Sequence, residues 1–168
     1  MDHDGDFSAY ASARWGALVR AAVFLGCGVD DAQDLVQTTL MRCYTSWKKV
    51  AKADDRDAYV YRMLLNCHRD SRRRRWWGER ATGQDLEASV PDATAGVDVA
   101  DSVHRALNEL SKPHREVVVL RFYAHLSERQ TAEVLGIAPG TVKSRLSRAL
   151  EQLSIDEHLI DLTQGATR

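Results

Sequence analysis

Apolar positions recur every three or four residues through most of the chain, and short polar breaks separate the runs, so the sequence predicts helices and no strands. Phe7, Tyr10, Ala11, Trp15, Leu18, Ala22 and Leu25 fall on one face of a first helix, which Gly26 and Gly28 interrupt. A second helix is expected from Asp30, where Gln33 stands at capping-box spacing, and runs through Leu35, Val36, Leu40, Tyr44 and Trp47. After a charged connector, Ala58 to Arg75 reads as apolar nearly all round at first and then abruptly basic. A helix apolar on every side is central in a bundle, so the first half is expected in a core and the tail in solvent.

From Gly78 to about Asp101 the residues are small, acidic and turn-forming, the composition of a flexible acidic linker. Helical spacing resumes at Val103, Leu107 and Leu110. Pro113 then opens a helix whose Val117, Val118, Leu120 and Phe122 are expected to pack behind the segment Ser127 to Leu153, which holds the sharpest local signal. Ser127 and Gln130 form a capping box, Gly136 sits where a first short helix must stop, and Pro139 suits the opening turn of a second. In that second helix Val142, Leu146, Ala149, Leu150 and Leu153 make an apolar stripe, which leaves Thr141, Lys143, Ser144, Arg145 and Arg148 facing outward. A helix packed from behind with a cationic and hydroxylic front suits the DNA major groove, so this is a helix-turn-helix with its second helix as reader. An ordinary helical hairpin with a solvated basic face has the same pattern; the upstream sequence weighs against it. After about Leu162 no strong pattern remains, and the end is expected to fray.

The 168 residues suffice for one compact domain or two small ones, and 44% hydrophobic content supports real cores. No apolar run approaches the roughly 18 residues of a membrane span, and the acidic, polar start is unlike a secretory leader. Cys27, Cys43 and Cys67 are odd in number, far apart and without a C-x-x-C pair, so they read as reduced, buried thiols rather than a metal or redox site. A net charge of −1 argues at first against nucleic acid. Its distribution reverses that: Arg69, Arg72, Arg73, Arg74, Arg75 and Arg80 crowd one segment beside Trp76 and Trp77, while most of the acids lie elsewhere.

With both halves in view, the chain resembles a bacterial RNA polymerase sigma factor of the extracytoplasmic-function group, most like actinobacterial members. Asp31 to Trp47, DAQDLVQTTLMRCYTSW, is similar to that family's D-x-x-D-x-x-Q segment with its downstream aromatic. Tyr59 to Arg75, YVYRMLLNCHRDSRRRR, resembles the promoter-melting segment W-L-x-x-I-x-x-N-x-x-x-D-x-x-R-R, and the G-T-V-K-S-R helix fits the fourth sigma domain. Two departures stand out: Tyr59-Val60 replaces the usual Trp-Leu, and Thr38-Thr39 follows Gln37 where an acid is common.

The resemblance implies an all-α chain of two small helical domains: a sigma region 2 bundle over 1–77 and a region 4 helix-turn-helix domain over 102–168, joined by the linker 78–101. It implies that Asp31, Asp34 and Gln37 meet the clamp helices of the largest subunit of core RNA polymerase. Their i, i+3, i+6 spacing shares roughly one face and allows charge-assisted hydrogen bonds. It implies that Asn66 grips a flipped base of the opened −10 element, with Tyr59 and Tyr61 for stacking and Arg62, Arg69, Arg73 and Arg74 on phosphates. An Asn on so apolar a helix is otherwise expected to be a core side chain bonded to backbone. Lys143, Arg145 and Arg148, with Thr141 and Ser144, are expected on the −35 element, and Arg129 on a nearby phosphate. Promoter DNA and core polymerase are thus the implied partners, an anti-sigma factor is admitted as a third, no membrane insertion is expected, and the place of action is cytoplasmic. No catalytic residue, metal or other cofactor is implied, and no G-x-x-x-x-G-K-[ST] loop stands ready for ATP.

Two other function classes compete. A stand-alone helix-turn-helix regulator would act on duplex DNA without polymerase and leave a palindromic footprint as a dimer. A nuclease built on His68 and Asp70 lacks a metal-ligand set and a positioned nucleophile.

Overall fold

The computed structural model describes residues 2–82 and 95–155, the side chains of 79–82 and 95–98 excepted. Among the described residues the chain is all-helical: α1 (His3–Phe24), α2 (Val29–Thr45), α3 (Trp47–Val50), α4 (Arg56–Thr82), α5 (Ala95–Glu109), α6 (Lys112–Val118), α7 (Glu128–Leu135) and α8 (Pro139–Ser154). It divides into two compact units, α1 to α4 and α5 to α8.

In the N-terminal unit the core is built by Leu18, Ala21 and Ala22 of α1, Val36 and Leu40 of α2, Trp47 and Val50 of α3, and Val60, Leu64 and Leu65 of α4. The start of α1 is pinned by polar contacts instead. The Tyr10 hydroxyl donates to Asp57 at 2.7 Å and Arg14 donates to the same carboxylate. The Trp47 indole donates to Asp6 at 3.0 Å, and the Tyr44 hydroxyl donates to Asp4 at 2.8 Å. Arg56 lies 5.1 Å from the Trp47 ring centroid and 5.7 Å from that of Tyr10, within cation–π range. Burial, followed by the bond to Asp57, pushes the Tyr10 phenol well above its ordinary value.

Three expectations for this unit need correction. Helix α2 starts at Val29 with Gly28 at its N-cap and no side-chain cap, so the box between Asp30 and Gln33 does not form. A helix already under way at Val29 has passed the point where Asp30 could cap it. Trp15 is 39% exposed although it shares a sequence face with Leu18, because that face of α1 widens toward an open groove between α1 and α2. The first half of α4 is not buried all round: Arg62 and Asn66 face solvent, while Val60, Tyr61, Leu64, Leu65 and Cys67 fill the core. The basic tail from Arg72 to Arg75 is exposed, as its composition requires. At 27 residues α4 is about 40 Å long.

Helix α4 continues to Thr82 and α5 begins at Ala95, so helix enters the assigned linker from both sides. Its acidic middle, 83–94, and the expected fraying after Leu162 lie outside the described residues.

The C-terminal unit packs Ala106 and Leu107 of α5 and Leu110 just after it with Val117 of α6, Leu126, Ala132 of α7 and Val142 and Ala149 of α8. Arg115 donates to the carbonyls of Leu107, Asn108 and Leu110 at 2.8, 2.9 and 3.1 Å, satisfying the open end of α5. Helix α6 runs into a π-helical turn, Val119–Tyr123, where the Ala124 amide reaches back five residues to the Val119 carbonyl at 2.9 Å. The wider turn shifts the phase of the helix, and Phe122 emerges 55% exposed instead of packing with Val117 and Leu120.

The helix-turn-helix forms as its sequence dictates. Gln130 N–H donates to the Ser127 hydroxyl at 3.1 Å, and Ser127 N–H donates to the Gln130 side-chain oxygen at 2.7 Å. Gly136 ends α7 in the left-handed region at φ 66°, and Pro139 opens α8 behind an extended Ala138.

Candidate nucleic-acid and protein interfaces

Helix α4 carries one continuous outward strip. Tyr59, Arg62, Asn66, Arg69 and Arg73 follow each other at spacings of three and four, within roughly 100° of arc, and all are exposed or half-buried. Asn66 is therefore not a core side chain, and its amide needs no partner inside the protein to offset burial. The strip has the parts a single strand requires: an aromatic ring, an amide that can both donate and accept, and cations along one line. Two expected members lie elsewhere. Tyr61 is turned inward and 7% exposed, because its position faces the core between Val60 and Leu64. Arg74 is exposed on the neighbouring flank. Asp70 beside the strip pairs with Arg73 at 3.6 Å and Arg42 at 3.4 Å.

On α2, Asp34 and Gln37 are exposed one turn apart. Asp31 is half-buried and pairs with Arg75 at 2.6 Å, tying the start of α2 to the basic tail of α4. Gln37 rims the groove between α1 and α2, of about 1020 Å³, lined by Phe7, Ala11 and Trp15 on one side and Thr38, Met41 and Tyr44 on the other. Met41 is 65% exposed, and Tyr44 on the same side of α2 is exposed with it. Sequence reasoning placed only the polar residues of this face; a Met and a Tyr four and seven residues after Gln37 were the signal for its apolar part.

On α8, Val142 and Ala149 are buried, and Thr141, Ser144, Arg145 and Arg148 share the outward arc. Lys143 is exposed on the opposite flank of the buried stripe. The Ser144 hydroxyl donates to the Thr141 carbonyl at 3.1 Å, which leaves its oxygen to accept. Arg129 is exposed at the start of α7 and approaches Glu133 at 3.7 Å.

The remaining chemical candidates do not converge. His68 is buried, with its Nδ1 3.3 Å from the Cys27 sulfur, while Asp70 is committed to arginines, so the two do not face a common site. The three thiols are free. Burial raises Cys27 to about 11, with Asp31 adding to the shift and Arg75 and Arg72 opposing it, and burial raises Cys43 to about 12. Among the described residues there is no group of three or more His, Cys, Asp or Glu that could hold a metal ion, and no helix is long and apolar enough to cross a membrane.

Comparison with known proteins places both units. The family model for Sigma-70 region 2 matches residues 7–78, and that for Sigma-70, region 4 matches residues 100–153. An RNA polymerase sigma-E factor of Streptomyces avermitilis is 37% identical over 96% of this chain and 90% of its own length. The ECF RNA polymerase sigma factor EcfG of Rhodopseudomonas palustris is 33% identical over 79% of this chain and 75% of its own. Among solved structures, the sigma factor RpoE in complex with the anti-sigma factor NepR from Bartonella quintana superposes with a TM-score of 0.80 at 30% identity, over 92% of this chain and 96% of that one.

Proposed function

Since the chain belongs to the sigma-70 family of RNA polymerase sigma factors, in its extracytoplasmic-function group, and directs promoter-specific transcription initiation, we propose which surfaces do each part of that work. The N-terminal unit, which we assign to residues 1–77 and the α4 extension, docks on the largest-subunit clamp helices of core polymerase through Asp34 and Gln37. The apolar groove beside Gln37 receives side chains of the partner, while Asp31 steadies the α4 tail through Arg75. The strip on α4 then holds the melted −10 strand: Asn66 bonds the edge of a displaced base, Tyr59 stacks, and Arg62, Arg69 and Arg73 neutralise phosphates. Arg74 adds a flanking phosphate contact, and Tyr61, turned into the core, does not stack on DNA. The C-terminal unit holds duplex −35 DNA, with Thr141, Ser144, Arg145 and Arg148 in the major groove and Lys143 and Arg129 on backbone phosphates.

The observation that carries this reading is the single outward strip from Tyr59 to Arg73, exposed or half-buried throughout, because an amide, a ring and three cations in line have a direct role on single-stranded DNA. Melting then draws on base capture and polymerase contacts, and the chain regulates transcription in the cytoplasm without a reaction of its own. An anti-sigma factor is a partner of the class seen with the Bartonella relative, and the groove offers it a surface to cover.

The test is run-off transcription from genomic fragments with purified core polymerase. Discrete transcripts that require the chain, and that weaken at least tenfold with Asn66→Ala, are expected. Unchanged transcription without the chain, or duplex binding that never involves polymerase, would return the stand-alone regulator.

A further inference from the structure

The pattern W-L-x-x-I-x-x-N-x-x-x-D-x-x-R-R falls on Tyr59 to Arg74, yet α4 continues through Trp76, Trp77 and beyond. These two indoles are 63% and 64% exposed, an adjacent pair of the largest apolar side chains on a surface otherwise made by Arg72, Arg73, Arg74 and Arg75, all exposed. Isolated apolar residues on a surface need no explanation, but a paired aromatic patch does.

Helix geometry fixes where the indoles lie. Trp77 is five full turns from Tyr59, so it returns to the same side of α4, and Trp76 falls on the other edge of the strip. Both are one turn beyond Arg73, at i+3 and i+4, and helical side chains lean toward the N-terminus, so the indoles are carried toward the turn that holds Arg73. A phosphate resting on Arg73 would bring its base within reach of an indole face on either side of the strip. From Asn66 to Trp77 is about 16 Å along the axis, about five base steps at 3.4 Å each, so this position serves a different nucleotide from the one at Asn66.

We propose that Trp76 and Trp77 form a second stacking platform for single-stranded promoter DNA, extending the α4 strip past the family's melting segment. The platform rests on the polymerase-dependent reading of the chain. Charge complementarity selects the occupant: Arg72 and Arg74, with Arg73 and Arg75 that also pair with Asp70 and Asp31, surround the aromatic pair with excess positive charge and match a polyanion whose bases are free to stack. Paired duplex offers phosphates and base edges but no open faces, so the platform favours melted strands. A protein partner is the competing occupant, and the experiment separates the two.

Holoenzyme is assembled from core polymerase with wild-type chain, with Trp76→Leu/Trp77→Leu, and with Trp76→Phe/Trp77→Phe. The probe is the fluorescein-labelled non-template strand of a promoter recovered by run-off, titrated at several salt concentrations. The Leu pair is expected to weaken probe binding at least about tenfold, on the scale of alanine substitution at stacking aromatics. It should leave affinity for core polymerase and the salt slope unchanged, and the Phe pair should recover most of the loss. Arg73→Ala, by contrast, should flatten the slope by about 0.7. Equal probe binding by wild type and the Leu pair would overturn the platform. So would a Leu pair that loses core polymerase while its assembled holoenzyme holds the probe normally, since that assigns the indoles to protein. Wild-type holoenzyme that ignores the probe would remove the promoter reading itself, and the platform with it.

Discussion

Asn66 and the thiols show how differently neighbouring residues of one helix bundle are used. Asn66 faces solvent, so Asn66→Ala should change the unfolding free energy by less than about 0.5 kcal/mol, which a denaturant titration can check. Promoter opening, read with a fluorescent base in the −10 element, should nevertheless fall at least about tenfold, as expected for loss of a good base-edge contact. Equal loss of stability and opening would make Asn66 structural. The thiols behave oppositely. Their folded values, about 11 for Cys27 and about 12 for Cys43, lie above the ordinary 9.0, so the unfolded chain loses those protons first. Stability from this source is complete below about pH 9 and declines as pH rises toward 11 and 12. The melting temperature of the N-terminal unit should therefore drop across that window, and Cys43→Ala should flatten the drop. The burial of Cys43 and Cys67 was legible from their apolar flanks, whereas Cys27 is only half-buried beside the glycines that end α1. The exposure of Asn66 was not legible, because Tyr61, Leu64 and Leu65 beside it made the helix read as apolar all round. Counting at three and four from Tyr59 through Arg62 to Asn66 and Arg69 separates the polar strip from them.

At the level of elements, the helix-turn-helix is specified almost entirely by local chemistry. Ser127→Ala removes the hydroxyl that accepts from Gln130 N–H and should cost the C-terminal unit about 1 kcal/mol. Gly136→Ala should cost about 1–2 kcal/mol through backbone strain alone, because a Cβ there meets nothing within 4 Å while φ stays at 66°. Chemical denaturation with a probe in that unit measures both. If Gly136→Ala were silent, the left-handed cap would not be strained. Such caps are written in single residues, which is why Ser127, Gln130, Gly136 and Pro139 were readable. The start of α2 was not, since Gly28 caps it through backbone alone and Asp30–Gln33 imitates a box inside a helix that has already begun. Nor was the π turn at Val119–Tyr123, because no residue type marks it and only tertiary packing selects the wider turn that turns Phe122 outward.

Across the whole molecule, the reading proposed above gives two units on one chain different DNA targets. Tethering makes the second contact effectively intramolecular, so joint binding exceeds that of either unit without any new contact. Deleting residues 83–94 should then lower promoter-specific transcript strongly while each unit unfolds at its wild-type midpoint. Full activity of the deletion would dismiss the spanning role of that segment. The order of the two units was legible because each carries its own motif, whereas the limits of the connection were not. Acidic, small-residue sequence hides the helical ends at Thr82 and Ala95. On the reading proposed for its surfaces, this chain works on polymerase before it works on DNA. The most direct test is fluorescence anisotropy of the labelled protein titrated with core RNA polymerase, beside the Asp34→Ala/Gln37→Ala variant. Tight wild-type binding that the variant weakens at least about tenfold is the predicted result, since it removes two polar contacts including a charged one. A wild-type chain that ignores core polymerase yet binds duplex DNA would contradict that reading.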